Sequence, residues 1–262
     1  EKLQFAFRPE SPAVASTVDV PMPRPDGSAL LARLYRPLSS HADEPLALLI
    51  YFHGGGWCVG DVASYDVLCR ELANLARCAV LSVDYRLAPE HPFPAAIRDA
   101  RLAFEWAVEN ASLLAIDPAR IALGGDSAGG NLSIVTALAL RDEPARPSCL
   151  ALVYPSTEIV STRPSRERYA EGFFLDRGTL QWFFERYLPD GNTEDWRVSP
   201  MRAERLAGLP PTLLVGAEFD PLVDDCVAFA ERMKAEGCTV DYVEMPGVIH
   251  GFLTLGKVFP ES

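Results

Sequence analysis

Gly124-Gly125-Asp126-Ser127-Ala128-Gly129-Gly130 is the stretch on which the reading of this chain turns. Arg120-Ile121-Ala122-Leu123 before it has the composition of a short buried strand, and residues 131–141 after it are good helix formers with almost no charge. A serine on a strand-to-helix turn is forced into a strained backbone conformation that presents its hydroxyl above the sheet edge. Gly125 and Gly129, two residues to either side, are expected to keep side chains out of a space where the two backbones nearly touch. Gly-x-Ser-x-Gly is short enough to arise by chance, and a plain glycine-rich turn is the alternative. The strand before it and the helix after it favour a nucleophilic role for Ser127.

Working towards the N-terminus, Leu46–Phe52 is a continuous apolar run, as expected of a parallel strand covered on both faces. It leads into His53-Gly54-Gly55-Gly56-Trp57. Three glycines after a buried strand leave backbone N–H groups free to face a ligand, with His53 and Trp57 anchoring the loop ends. This loop reads as an oxyanion hole rather than a flexible connection. Residues 64–77 form a helix pattern with Leu68, Leu72, Leu75 and Ala76 as its apolar stripe, and Ala79–Val83 is the next buried strand. The proline-pinned loop Asp84-Tyr85-Arg86-Leu87-Ala88-Pro89-Glu90 follows, with His91 in a structural rather than catalytic role, and then a helix over residues 95–110. Nearer the start, residues 18–20 and 29–35 read as a strand pair joined at Asp26-Gly27, and His41 as a solvated loop residue.

Towards the C-terminus, residues 150–154 make another short strand, and residues 156–200 then break the strand–helix rhythm. An insertion at a strand's C-terminal end lies over the ligand crevice of a doubly wound sheet, so this one is expected to form part of a cap. Its aromatics, among them Phe173, Phe174, Trp182, Phe183, Phe184 and Tyr187, suit either the cap's own core or substrate contact. Residues 212–216 are a further strand ending near Asp220, 223–236 a helix, and 240–245 the last strand, with His250 on the loop beyond. This βαβ alternation predicts one α/β domain over residues 1–262, with a mostly parallel twisted sheet, helices on both faces, and cap elements from about 1–17 and 156–200.

A serine hydroxyl does not ionise unaided near neutral pH, so a nucleophilic Ser127 needs an imidazole as base and a carboxylate to fix its tautomer. The candidates follow in the order Ser127, Asp220, His250, each beyond a strand's C-terminal end, which is the α/β-hydrolase order. Asp224 and Asp225 are rival acids, set aside because they fall within the next helix, where a solvated surface is expected.

These motifs resemble those of the hormone-sensitive-lipase-like esterases, the bacterial family IV carboxylesterases of the α/β-hydrolase fold. The resemblance rests on His53-Gly54-Gly55-Gly56-Trp57, Asp84-Tyr85-Arg86-Leu87-Ala88-Pro89-Glu90, Gly125-Asp126-Ser127-Ala128-Gly129-Gly130, Asp220-Pro221-Leu222 and His250-Gly251-Phe252, in family order. It extends through Gly172-Phe173-Phe174-Leu175, Trp182, Tyr187-Leu188 and Ser199-Pro200-Met201 of the insertion. It implies Ser127 as nucleophile, His250 as base, Asp220 as the orienting acid, and the N–H groups of Gly55, Gly56 and Ala128 as the oxyanion hole. It further implies ester hydrolysis without a cofactor; the short cap and the lack of any membrane-binding stretch point to short-chain acyl esters. An amidase or arylformamidase shares the same loop and elbow. A gibberellin-receptor-like binding protein is disfavoured because His250 is present, and an Asp-nucleophile hydrolase because the elbow carries serine. Family members usually begin with a longer segment and continue past the His loop into a helix. Here 17 residues precede the first strand and the chain stops twelve residues past His250, so either terminal residues are lacking or the cap is reduced.

Composition sets the remaining bounds. A net charge of −12 argues against nucleic acid and anionic membrane surfaces, and no apolar run approaches the roughly 20 residues that span a bilayer. Glu1-Lys2-Leu3-Gln4-Phe5 has no signal-peptide pattern. The six cysteines show no metal-ligand or Cys-x-x-Cys spacing, so they read as buried free thiols in a reducing, cytoplasmic setting with no metal site. The expected partners are a small-molecule ester and, at most, a second copy of the chain as a homodimer.

Overall fold

Alternating apolar runs and helix-forming stretches become eight strands and six α-helices among the described residues of the computed structural model, which are 10–39, 45–256 and 258. The strands are β1 (Ser16–Pro23), β2 (Ala29–Arg36), β3 (Leu46–Phe52), β4 (Ala79–Val83), β5 (Ile116–Asp126), β6 (Leu150–Val153), β7 (Thr212–Phe219) and β8 (Val240–Ile249). The helices are α1 (Asp66–Ala76), α2 (Ala95–Glu109), α3 (Ala128–Leu140), α4 (Pro164–Arg168), α5 (Arg177–Tyr187) and α6 (Val223–Ala235). The sheet runs in the order β1-β2-β4-β3-β5-β6-β7-β8. Strands β3 to β8 are parallel to their neighbours, whereas the β1–β2 hairpin joins β4 antiparallel.

Successive side chains of a strand point to opposite faces, and β3 shows why its run is wholly apolar. Leu48, Ile50 and Phe52 enter the core that holds α2, α3 and α6, while Leu49 and Tyr51 pack with Leu68, Cys69 and Ala73 of α1 on the other face. Coverage is less complete at the outer strands. Leu213 on β7 and Val243 on β8 are exposed on the α1 side, so the double coverage of β3 does not extend to these strands.

Three further expectations are corrected. The buried face of α1 is Leu68, Cys69 and Ala73, and Leu75 and Ala76 are exposed, because the helix docks on β2 and β4 through the turn that carries Cys69 and Ala73. The His91 side chain is exposed at the surface rather than packed within the loop, and its backbone N–H donates to Leu87 O at 2.8 Å. All six cysteines are free, but Cys149 is exposed and Cys58 and Cys238 are half-buried, so only three are buried thiols. His41 and residues 1–9 lie outside the described residues. The part of the N-terminal segment that is described runs along α1, held by Asn74 Nδ2 donating to Ala13 O and Ser11 Oγ donating to Asp66.

The strands that deliver the site are longer than their apolar runs. β7 continues past Gly216 to Phe219, and β8 continues through Pro246 and Gly247 to Ile249. The last pair in their register is Phe219 opposite Ile249. The next residues after the two strands are Asp220 and His250, so the ladder itself sets acid and imidazole side by side.

Candidate active site

The turn between β5 and α3 carries the strain expected of it. Ser127 sits at φ 52° and ψ −116°, in the left-handed half of backbone space that costs a non-glycine residue on the order of 1–3 kcal/mol. A Cβ on Gly125 would come within 2.6 Å of the Gly129 carbonyl carbon, and one on Gly129 would enter the Phe52 carbonyl. The two glycines therefore let strand and helix backbones touch, and that contact holds the turn in its strained form.

The structure brings together the three side chains chosen from the sequence. His250 Nδ1 lies 2.6 Å from Asp220 Oδ2, and His250 Nε2 lies 3.0 Å from Ser127 Oγ. Asp220 is fully buried, and its other oxygen accepts the Leu222 N–H at 2.8 Å. With the carboxylate at Nδ1, that nitrogen carries the proton and Nε2 is left bare to accept from the serine hydroxyl. The Tyr154 ring packs against the imidazole, with centroids 4.4 Å apart.

The glycine loop is anchored on both flanks. His53 is fully buried, its ring stacks on Tyr85 at 4.3 Å, and Tyr85 Oη donates to His53 O at 2.7 Å. Burial pulls the His53 pKa down to about 4, so the ring is neutral and its Nδ1–H donates to Gly54 O at 2.7 Å. Trp57 stacks on Tyr187 with centroids 4.3 Å apart and rings 3° from parallel. Gly55 and Gly56 between them adopt φ 113° and 58°, and among the described residues neither N–H donates a backbone hydrogen bond. Ala128 is the first residue of α3, where an N–H has no partner within the helix. All three residues line one cavity with Ser127 and His250.

The inserted segment contributes Phe174, Leu175, Leu180, Phe183 and Phe184 to the walls of that cavity, which holds about 330 Å³. The insertion's aromatics divide into separate uses. Phe183 and Phe184 face the cavity, Tyr187 is buried against Trp57, Phe173 stacks on Phe219 at 5.8 Å, and Trp182 stays at the surface under Arg186.

Sequence reasoning missed the groups that hold these parts together. Asp99, almost wholly buried in α2, takes Arg24 of the β1–β2 hairpin and Arg86 of the loop after β4, each at 2.9 Å. Asp225 was expected on a solvated surface and is instead buried. It accepts from Ser161 Oγ at 2.6 Å, Arg163 Nη1 at 2.9 Å and Arg166 Nε at 2.7 Å, tying the insertion to α6. Partners some 60 residues away leave no local signal in the sequence. Removing one member of a buried ion group leaves the others uncompensated. Asp225→Ala is therefore expected to lower unfolding stability by about 3 kcal/mol, the lower end of the usual range because both arginines retain some contact with water. Denaturant unfolding checks this, and a change below about 0.5 kcal/mol, the size of an ordinary surface substitution, would contradict it.

Comparison with known proteins identifies the family. A family described as the alpha/beta hydrolase fold matches residues 49–254. The chain belongs to the α/β-hydrolase family, in its hormone-sensitive-lipase-like branch. It is 43% identical over 245 residues to carboxylic ester hydrolase LipN of Mycobacterium tuberculosis, covering 90% of this chain and 64% of that protein. It is 40% identical over 247 residues to ethyl acetate hydrolase of Pseudomonas putida, covering 93% and 78%. The chain thus spans slightly less than two thirds of the mycobacterial relative's length. Among solved structures, an ester hydrolase from the Lake Arreo metagenome superposes with a TM-score of 0.95 at 42% identity, over 99% of this α/β-hydrolase chain and 82% of that one. An esterase from Pyrobaculum calidifontis gives 0.92 at 36% identity, over 99% and 86%. No helix among the described residues is long and apolar enough to cross a membrane.

Proposed function

We propose that this chain is a serine carboxylesterase acting on short-chain acyl esters, with Ser127 as nucleophile, His250 as general base and Asp220 as the acid that orients it. The observation that carries the reading is the unbroken line from Asp220 through His250 to Ser127, with steps of 2.6 and 3.0 Å, opening on an apolar cavity.

In the first half-reaction Ser127 Oγ bonds to the ester carbonyl carbon as its proton passes to His250 Nε2. The carbonyl π pair moves onto oxygen, and the N–H groups of Gly55, Gly56 and Ala128 are the proposed donors to that oxyanion. Collapse breaks the bond to the alkoxy oxygen, which leaves as the alcohol with the proton from His250. Water then repeats the sequence against the acyl-enzyme, giving up a proton to His250 and releasing the carboxylic acid as Oγ regains it. Buried Asp220 favours the imidazolium in both halves without taking its proton.

Residues 156–200 are taken as a cap in this proposal, supported by the cavity walls they supply. Each methylene buried against such walls contributes about 0.8 kcal/mol, so the preferred acyl length follows the walls available. A cavity of about 330 Å³ lies at the small end of ligand sites, which run from roughly 300 to 1,000 Å³. Acyl groups of about two to eight carbons should be preferred. A hydrolysis series across acyl lengths, with Ser127→Ala and a matched amide as controls, tests this. An optimum beyond about twelve carbons would overturn the short-acyl claim, and a faster amide would overturn the ester claim. A reducing cytoplasmic setting belongs to the same proposal, supported by six free cysteines.

A further inference from the structure

Asp126 precedes the nucleophile, yet the chemistry above gives its side chain no task. A carboxylate 3% exposed beneath a reactive serine requires an account, because burial without compensation disfavours the charged form. Burial pushes this carboxyl's pKa up, with hydrogen bonds from Tyr51 and Tyr65 opposing it. Both of its oxygens accept hydrogen bonds. Oδ1 accepts from Tyr51 Oη at 2.8 Å and from the Gly54 backbone N–H at 3.0 Å, and Oδ2 accepts from Tyr65 Oη at 2.9 Å. The Gly54 N–H also lies 3.0 Å from Tyr65 Oη, which closes a triangle of side chain, phenol and loop backbone.

The backbone positions of this triangle matter more than its number of bonds. Asp126 is joined covalently to Ser127, and Gly54 is joined covalently to Gly55. One side chain therefore spans from the residue before the nucleophile to the residue before two proposed oxyanion donors. No strand ladder does that work here. β3 and β5 pair as far as Phe52 opposite Gly125 and stop, one residue short of His53 and Asp126. Space at the junction is fully used, since a Cβ on Gly54 would run into the Asp126 carboxylate.

We propose that Asp126, with Tyr65, is a positioning residue that fixes the separation between the Ser127 hydroxyl and the N–H groups of Gly55 and Gly56. This rests on the esterase reading of the site. Oxyanion donors act at the transition state, and a loop displaced by a few tenths of an ångström holds the substrate but not the oxyanion. The expected signature is therefore a loss in kcat with KM little changed.

The test uses Asp126→Ala, Asp126→Asn and Tyr65→Phe, with rates divided by active sites titrated with a stoichiometric alkyl phosphonate. Titration removes misfolded protein from the comparison, so a merely structural role would leave kcat per site unchanged. Asp126→Ala is expected to lose about 100-fold in kcat per site, the size of one lost oxyanion donor, with KM within threefold. Asp126→Asn should recover to within about tenfold of the parent, because its carbonyl oxygen still accepts from Gly54 N–H and Tyr51. Tyr65→Phe, which keeps Gly54 N–H on Asp126, should lose about tenfold and decides the question if both Asp126 variants fail to fold. Asp126→Ala within threefold of the parent overturns the proposal, as does Asp126→Asn no better than Asp126→Ala, or a kcat for Tyr65→Phe within threefold of the parent. A parent protein that hydrolyses no ester would instead overturn the esterase reading, which separates the two failures.

Discussion

Ser127→Ala is expected to lower kcat by about 10⁶-fold while fold and substrate affinity stay close to those of the parent. The size follows from cooperation. His250 and Asp220 have no role once the hydroxyl whose proton His250 accepts is gone, so losing the serine costs as much as losing all three. The substitution is also clean in this backbone. Ser127 sits at φ 52°, and alanine bears the same Cβ in the same strained position, so the change removes the hydroxyl alone. Unfolding stability should move by less than about 1 kcal/mol, the net worth of the single hydrogen bond to His250 Nε2. Activity within tenfold of the parent would contradict the assignment.

The second large effect concerns the acid. Asp220→Asn is expected to reduce kcat by about 10⁴-fold, because an amide at this place can donate to Nδ1 and turn the imidazole to the wrong tautomer. Asp224→Asn should change it by less than threefold. Asp224 accepts the Ser165 N–H at 2.8 Å, at the junction of the insertion with α6, while Asp220 alone of the three neighbouring aspartates reaches His250. Assays of both variants on one short ester rank the two carboxylates directly, and the reverse order would assign the acid to Asp224.

Several elements were legible because their signal is local. Leu46–Phe52 and Ala79–Val83 occupy the residues expected, since a run of apolar side chains between polar loops has few other places to go. The elbow was readable because strand, glycines, serine and helix lie within some twenty residues. What escaped is what depends on distant pairing. The strands expected over residues 212–216 and 240–245 continue to Phe219 and, across Pro246 and Gly247, to Ile249, because each finds its partner in the other. That continuation, invisible in either segment alone, places Asp220 beside His250. Asp225 was misjudged for a related reason, since an aspartate in the first turn of a helix looks like a solvated cap until two arginines of the insertion fold over it. Asp126 shows no task in the sequence because its partners, Tyr51 on β3 and Tyr65 beside α1, lie 75 and 61 residues away.

The braces found in the structure also explain a motif that carries no chemistry of its own. Tyr85 supports His53, Arg86 holds Asp99, and the Ala88 N–H donates to Trp57 O at 2.8 Å, so the proline-pinned loop buttresses the glycine loop along its length. Rigid backing of this kind lets free N–H groups act without reorganising when charge develops.

The central claim is that one serine hydroxyl, and no other nucleophile, forms the covalent intermediate. Its most direct test is reaction with a short alkyl phosphonate ester followed by intact-mass measurement and peptide mapping. One adduct per chain is expected, located on Ser127, with none formed by Ser127→Ala. An adduct on any other residue, or labelling of Ser127→Ala at the parent rate, would contradict it.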